Sequence, residues 1–371
     1  MKQLISFLYP AGGYVLDIKR DTPSIIWFLS NIFSVRRVAY VDRFGVFDKN
    51  DYEWYNYPLF ESLSEIKSQR KMTFEECCMM RVNDLISYAN LIDRDIYISW
   101  SGGVDSTTIV TSFLMNDKLD KSRFHVLYNK HSVEEYPFFY DLLKKNGILM
   151  HDFLYDLFLM DVRQGDHLII DGTCGDKMES NSTVDILKYY NFDDKSWVDS
   201  VTKLCSILGY KNRDYYIERF EAYITYFNLP ITSFQELAWL MEFGCEWRRT
   251  TELRKLLSCC PERRISFFDT TYFSKYALDR YQNISHGYCS KGSKYKEAFK
   301  KIIYKYTKDE EYLLNKGKEI HPWLFCNENL YLKDNFGYHT FKIENENMFL
   351  DVMLPYFKEE YREFVSIKKR I

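Results

Sequence analysis

The sequence lacks the features of several protein classes. None of its nine cysteines forms a Cys-x-x-Cys pair, so neither a zinc site nor a sulfur relay is predicted, and free thiols in a reducing cytoplasm are expected. No run of about 18 apolar residues could span a membrane, and the N-terminus has no small-residue cleavage site. With 50 Lys+Arg against 53 Asp+Glu, the net charge of −3 provides no global attraction for nucleic acid, which leaves only local basic patches.

The length and composition are those of a protein with a full core. The 371 residues are 46% hydrophobic and can hold one large domain or two smaller ones. We expect residues 1–75 to form a small region of strands and turns, residues 76–325 to form the main domain, and residues 326–371 to form a tail without an assigned role.

Strand and helix patterns alternate between residues 95 and 175. This alternation predicts an α/β fold with a doubly wound, mostly parallel sheet. A helical pattern follows from about residue 183, so we expect a helical C-terminal extension in addition to the small strand-rich N-terminal region. The predicted strands are 96–100, 124–128, 149–153 and 167–171, and the predicted helices lie near 105–116 and 134–146.

A glycine-containing motif, Ser-Gly-Gly-Val-Asp-Ser at positions 101–106, directly follows the first of these strands. Gly102 and Gly103 let the backbone turn tightly and approach a ligand. The hydroxyls of Ser101 and Ser106 and the amide groups at the start of the next helix then face one point. The helix dipole makes this point favourable for an anion such as a phosphate. Asp105 is placed to hold a magnesium ion against phosphate groups bound at this point. No Gly-Lys-Ser/Thr sequence follows, so this is not a Walker loop; an ordinary serine–glycine turn is the alternative.

A second glycine-containing turn, residues 172–176, follows the predicted strand 167–171. The carboxyl ends of neighbouring parallel strands meet at one edge of a sheet, where ligands bind. Asp176 is therefore predicted to meet Asp105 around a shared magnesium ion. An ordinary glycine–aspartate turn is the alternative interpretation.

The motif at 101–106 resembles the phosphate loop of the ATP pyrophosphatases, which cleave ATP to AMP and pyrophosphate while they activate a substrate oxygen. From about residue 90 to 325 the chain resembles the synthetase domain of asparagine synthetase, whose relatives include the β-lactam synthetases and lasso-peptide cyclases. This resemblance implies an adenine nucleotide α-hydrolase-like fold. Three segments add to it: 262–269 resembles the family's Glu-x-Arg-x-Pro-Phe-Leu-Asp, 294–299 loosely resembles its Lys-x-x-x-Arg-x-Ala-Phe helix, and 316–318 falls at its Arg-x-Lys.

The resemblance implies roles for individual residues. Lys318 would stabilise charge that develops at the α-phosphate and acyl centre. Glu262 would act in the acid–base network of amide formation. A solvated surface lysine and a salt bridge to a neighbouring arginine are the respective alternatives. The residues implied to bind ATP and magnesium are Ser101, Gly102, Gly103 and Ser106 for the pyrophosphate, and Asp105 and Asp176 for the metal.

The sequence also departs from the family. The first 90 residues are too few for a glutaminase domain, so we expect ammonia or an amine from elsewhere, for example from another protein. Thr173 stands where relatives carry glutamate or tyrosine and is a poor base, which leaves the group that deprotonates the amine open. Lys177 and Ser266 replace an acidic residue and a proline. These changes favour a different acceptor or amine.

The leading hypothesis is an ATP-dependent ligase that adenylates a small-molecule or peptide carboxylate, releases pyrophosphate and lets ammonia or an amine attack. A second hypothesis is an ATP-dependent enzyme that modifies bases of tRNA or DNA, with Arg36, Arg37 and the tyrosines of residues 1–90 as contacts. A third is a non-catalytic binding subunit, against which Asp105, Asp176 and Lys318 argue.

Overall fold

The computed structural model of the chain describes residues 40–44, 46, 54–56, 62–152, 167–179, 196–208, 213–247, 251, 264–284 and 295–317. The strands in these ranges form a two-stranded and a five-stranded sheet, both parallel throughout. In chain order they are β1 (Tyr40–Asp42), β2 (Trp54–Asn56), β3 (Asp95–Ser99), β4 (Phe124–Tyr128), β5 (Leu149–Asp152), β6 (His167–Asp171) and β7 (Arg264–Ser266).

The helices of the described ranges alternate with the strands as far as β5 and dominate after β6. A 3₁₀ turn, Lys121–Arg123, precedes β4, and a π-helical turn, Glu242–Glu246, continues the ninth helix. In chain order the helices are α1 (Leu63–Ser68), α2 (Phe74–Leu91), α3 (Val104–Leu114), α4 (Lys130–Glu135), α5 (Pro137–Lys145), α6 (Asp176–Glu179), α7 (Trp197–Leu208), α8 (Arg213–Phe227), α9 (Phe234–Met241), α10 (Thr271–Ile284), α11 (Glu297–Thr307) and α12 (Glu310–Asn315).

The five-stranded sheet has the strand order β5-β4-β3-β6-β7. This confirms the predicted parallel α/β sheet, and the four predicted strands lie within a residue of the observed ones at each end. The fifth strand, β7, was not predicted, because its three residues carry no alternating pattern of their own and belong to a segment interpreted only as a motif. It pairs with β6 through Ile170 and Ile265.

Burial explains why these segments form the sheet and its helical layer. Ile96 and Ile98 of β3 are buried, whereas Asp95, Tyr97 and Ser99, which alternate with them, are partly exposed. Helix α3 is buried along most of its length and packs against α2, α11 and β3. The predicted helix 134–146 is divided, because Pro137 disfavours helical backbone at the residue before it and begins α5.

Contacts divide the chain into two units, which we describe separately. One unit comprises Ile66–Ser180 and Thr250–Lys318 and contains the five-stranded sheet. The other contains the β1–β2 pair and helices α7 to α9. In its described part the Arg43 guanidinium lies 4.8 Å from the ring centroids of Phe243 and Trp247 and donates to the Phe243 carbonyl. The three-segment division expected from the sequence stays a prediction.

Within the described ranges, none of the helices combines the length and the apolar character needed to cross a bilayer.

Candidate functional site

Two loops leave the sheet at the point where its strand order reverses. Strand β3 pairs with β4 on one side and with β6 on the other, so successive connections proceed in opposite directions from the centre. In open α/β sheets ligands bind in the crevice beyond the carboxyl ends of the strands at such a reversal. The loop 101–103 after β3 and the loop 172–175 after β6 lie at this position.

The loop after β3 is closed by hydrogen bonds between its own residues. The Ser101 amide donates to Ser106 Oγ at 3.0 Å, and the two serine hydroxyls lie 3.0 Å apart. Ser106 Oγ also donates to the Gly103 carbonyl, and the Gly103 amide donates to Ser101 Oγ. Ser106 is buried and Ser101 is exposed. The Ser106 hydroxyl therefore shapes the loop, whereas Ser101 presents the accessible hydroxyl.

Gly102 is required by both its backbone and its surroundings. Its φ is +84°, a region that side chains rarely adopt. A Cβ at this position would lie 2.6 Å from the Ser132 carbonyl oxygen and 2.7 Å from the Glu135 Cβ. Helix α4 thus packs directly against the loop, and only glycine allows that approach.

Neighbouring elements hold the loop from behind. Trp100 Nε1 donates to Thr107 Oγ1 at 2.9 Å, and Ser132 Oγ donates to the Trp100 carbonyl at 2.8 Å. Gly103 is the N-cap of α3, and no side chain caps that helix. The first amide groups of α3 therefore point at the crevice with the positive end of the helix dipole, an arrangement that suits an anion.

The loop after β6 is fixed by a buried ion pair. Arg264 of β7 donates from Nε to Asp171 Oδ2 at 3.2 Å, and both side chains are almost fully buried. Asp171 Oδ1 accepts the Thr173 amide, and Ser266 Oγ donates to the Thr173 carbonyl at 2.6 Å. Among the described residues, the buried Thr173 Oγ1 has no hydrogen-bond partner. Cys174, the next residue, has the unusual φ of +74°.

The two loops touch at Asp105. A Cβ on Gly175 would lie 2.6 Å from Asp105 Cγ and Oδ1, and a Cβ on Gly172 would lie 3.3 Å from Asp105 Cβ. The first turn of α3 and the 172–175 turn are therefore in direct contact. Asp105, predicted as a metal ligand, lies in the crevice between them.

A lysine that the sequence analysis did not single out joins Asp105. Lys296 Nζ lies 2.5 Å from Asp105 Oδ1 and 2.6 Å from Oδ2, although 191 positions separate the residues. The Lys296 side chain is 2% exposed. Burial disfavours the charged form of Lys296. The Asp105 carboxylate and, with a smaller effect, the Asp176 carboxylate outweigh burial, so the pKa of the ammonium is raised. Asp105 and Asp176 thus act on the same cation.

A second lysine, Lys316 at the end of α12, lies near the loop 101–103 after β3. Lys316 Nζ lies 2.9 Å from Glu135 Oε1, and both side chains are mostly buried. That carboxylate oxygen would lie 3.4 Å from a Cβ on Gly103. The chain around the predicted Lys-Gly-Lys motif therefore does approach the loop. Lys318 and Glu262, both predicted as catalytic, lie outside the described residues.

The residues present fit magnesium only together with a nucleotide. Among the described residues, no group of three or more His, Cys, Asp or Glu side chains is arranged to hold a metal ion. Magnesium in phosphate sites uses one or two carboxylates, water and the phosphates themselves. Asp105 and Asp176 are two such carboxylates, and both lie close enough to Lys296 to affect its pKa.

The structure brings most of the predicted site together and adds residues that the sequence analysis missed. Ser101 to Ser106, Thr173 and Asp176 lie in the two loops at the crevice or in the first turn of the helix that follows each loop. Lys296 and Glu135 are the additions, whereas Lys316 belongs to the segment 316–318 that the sequence already matched to the family's Arg-x-Lys. Lys296 lay within the segment 294–299, which was noted as resembling a family helix, and its place at the arginine position was the available signal.

No protein-family model matches the sequence, and no curated protein matches it.

Proposed function

We propose that this chain binds ATP with magnesium in the crevice at the reversal of the sheet and uses it to adenylate a carboxylate, which ammonia or an amine then converts into an amide. We also propose that the five-stranded parallel sheet and its helices have the adenine nucleotide α-hydrolase-like fold. The observation that carries it is the closed 101–106 loop, with glycine at φ +84° and an uncapped helix behind it, at the reversal of strand order.

Three properties of the loop support binding of a triphosphate. Gly102 and Gly103 have no side chains that would keep phosphate oxygens from the backbone. The N-terminal end of α3 provides oriented amide groups and a partial positive charge. The ammonium groups of Lys296 and Lys316, each paired with a carboxylate, lie next to the loop and place two cations near the proposed phosphates.

The proposed chemistry divides the work among the residues of both loops. A substrate carboxylate oxygen attacks the α-phosphorus, the bond from that phosphorus to the bridging oxygen breaks, and pyrophosphate leaves. Ser101 and the amides at the start of α3 hold the leaving pyrophosphate. Magnesium, when bound, would neutralise charge on the phosphate oxygens. Lys318 is proposed to stabilise the charge on the reacting centre, and Glu262 to take part in proton transfer.

The second step needs a neutral amine, and Thr173 limits how it is obtained. A threonine hydroxyl does not accept a proton at neutral pH, but it can accept a hydrogen bond from an amine N–H. Thr173 Oγ1 is buried and lacks a partner within the described part of the chain, so its acceptor capacity is unused and would serve an amine once the turn opens to the substrate. We therefore propose that Thr173 orients the nucleophile. The amine nitrogen attacks the acyl carbon, the bond from that carbon to the AMP oxygen breaks, AMP leaves, and the amine proton passes into the acid–base network proposed for Glu262.

The products of ATP distinguish this proposal from other uses of a nucleotide. The protein is incubated with ATP, magnesium and mixtures of amino acids, other small carboxylates or carboxylate-bearing peptides, with hydroxylamine as a general nucleophile. The proposal predicts AMP, pyrophosphate and a hydroxamate that depend on the carboxylate. ADP and phosphate as products would contradict it.

Two controls make the assay specific. AMP and pyrophosphate that appear with tRNA or DNA, and not with any carboxylate, would favour the base-modification hypothesis. A Gly147→Ala variant, altered at a position with no atom within 4 Å of the added methyl group, should leave the products unchanged. Absence of nucleotide binding altogether would contradict an enzyme of this type.

A further inference from the structure

Lys296 is a buried cation at the centre of the candidate site. Its ammonium contacts both carboxylate oxygens of Asp105, at 2.5 and 2.6 Å, and its side chain is 2% exposed. The rings of Phe299 and Tyr295 have their centroids 5.4 and 5.8 Å from Nζ. Aromatic faces at these distances stabilise a cation without competing for its hydrogen bonds.

The backbone at Lys296 is held in an unfavourable conformation. Its φ is +43° and its ψ is +46° at the N-cap of α11, where its side chain does not cap the helix. Polar residues with short side chains are the usual N-caps, and non-glycine residues in this region of backbone conformation are strained. The surrounding packing therefore fixes the position of Lys296, and its side chain is directed to Asp105 instead of the helix end.

The ion pair conflicts with a simple metal site. An ammonium within 2.5 and 2.6 Å of the two carboxylate oxygens neutralises their charge and repels a metal cation that approaches the same oxygens. Asp176 also raises the pKa of Lys296, while the Lys177 ammonium lies 3.7 Å from Asp176 Oδ2. Magnesium can use Asp105 only if Lys296 moves away, and a buried ammonium leaves a carboxylate only when another anion accepts it.

A nucleotide provides that anion. We propose that Lys296 exchanges its partner: it holds Asp105 in the nucleotide-free protein and transfers to a phosphate when the nucleotide arrives, which releases Asp105 for magnesium. This inference rests on the proposed nucleotide site. Lysine suits the role, because its ammonium is a point charge on a flexible stem with three rotatable donors.

The exchange makes metal binding and nucleotide binding interdependent. Without nucleotide, Lys296 blocks the metal; without metal, Asp105 retains Lys296 and repels the phosphates. Each ligand therefore strengthens the other by the same factor, and couplings of this kind are commonly about 5- to 150-fold.

The test measures Mn²⁺ as a probe for magnesium by its electron paramagnetic resonance signal, with and without α,β-methylene-ATP, which is not cleaved between the α- and β-phosphates. Nucleotide affinity is measured by calorimetry with and without the metal. For the wild-type chain we expect negligible binding of Mn²⁺ alone and tight binding of Mn²⁺ with nucleotide. In Lys296→Met, Mn²⁺ alone should bind at least about tenfold more tightly, and the coupling should decrease by a similar factor.

Two further variants keep the test decisive. Lys300→Met removes another buried lysine of α11, whose ammonium donates to the Lys316 carbonyl, and should behave like the wild type toward Mn²⁺. Asp105→Asn removes the carboxylate but keeps an amide oxygen that can accept a hydrogen bond from the Lys296 ammonium, so it tests the pair from the other side if Lys296→Met does not fold. It should bind the nucleotide analogue without metal at least as well as the wild type and lose the coupling.

The outcomes separate the inference from the proposed function. If the wild type binds the nucleotide analogue but binds Mn²⁺ equally well with and without it, the partner exchange is wrong while the nucleotide site survives. If Lys296→Met and Asp105→Asn both keep the wild-type coupling, the exchange is likewise wrong. If no variant and no condition gives nucleotide binding, the proposed function fails together with the inference.

Discussion

Substitution of Gly102 by alanine tests whether the 101–106 loop is built as the structure has it. At φ +84° a side chain costs about 1–2 kcal/mol relative to glycine. The added methyl group would also lie 2.6 Å from the Ser132 carbonyl oxygen and 2.7 Å from Glu135 Cβ. Both neighbours belong to the backbone or the first side-chain carbon of α4, so they move only with the helix, and such overpacking typically costs about 1–3 kcal/mol. Together, Gly102→Ala should lower the free energy of unfolding by about 2–5 kcal/mol.

Gly147→Ala is the matched control. Gly147 has a similar φ of +68°, but no atom lies within 4 Å of the added methyl group. It should cost only the backbone term of about 1–2 kcal/mol. The effect of alanine on the unfolded chain is the same in both variants and cancels in the comparison. Urea unfolding followed by tryptophan fluorescence gives both values. Equal losses of stability would refute the close packing of α4 on the loop.

Three further predictions concern the site and the sheet. In Gly175→Ala the added methyl group would lie 2.6 Å from the Asp105 carboxyl carbon, so the variant should displace that carboxylate and lower the free energy of unfolding by about 1–3 kcal/mol. Calorimetry should also show weaker binding of magnesium–ATP. Unchanged binding would contradict the contact. Burial and the neighbouring His151 lower the pKa of the folded His125 imidazole below its ordinary value of 6.5. As the pH falls below 6.5 the unfolded chain therefore binds a proton at this histidine before the folded chain does, and the free energy of unfolding should decrease. The melting temperature of His125→Phe should depend less on pH than that of the wild type, and an equal dependence would contradict this account. Lys318→Ala should slow pyrophosphate release by a factor of about 10²–10³ with little change in ATP affinity. If Lys316→Ala loses this rate and Lys318→Ala keeps it, Lys316 is the active-site lysine in place of Lys318.

Local sequence patterns predicted the parts of the fold that depend on neighbours along the chain. The run of apolar residues in β6 and the alternation in β3 gave the strands, and the pair Gly102–Gly103 gave the turn between β3 and α3. The loop could be predicted because its hydrogen bonds join Ser101, Gly103 and Ser106, which are at most five residues apart. The parallel sheet followed from the alternation of strand and helix.

The parts that were missed depend on residues that are distant in the sequence. Nothing local indicates that Lys296 meets Asp105, because the contact exists only after α11 has packed against α3. The approach of Glu135 to Gly103 depends in the same way on how α4 packs. Strand β7 is three residues long and is stabilised by pairing with β6 and by the ion pair of Arg264 with Asp171, not by its own pattern.

The fate of labelled carboxylate oxygen tests the central claim most directly. The protein is incubated with ATP, magnesium, hydroxylamine and carboxylates whose oxygens are ¹⁸O, and the AMP formed is analysed by mass spectrometry. If a carboxylate attacks the α-phosphorus and the acyl–oxygen bond then breaks, one labelled oxygen remains on AMP. We predict labelled AMP from the wild type and no AMP above background from Asp105→Asn that is still folded. Unlabelled AMP, or ADP in its place, would contradict adenylation of a carboxylate at this site.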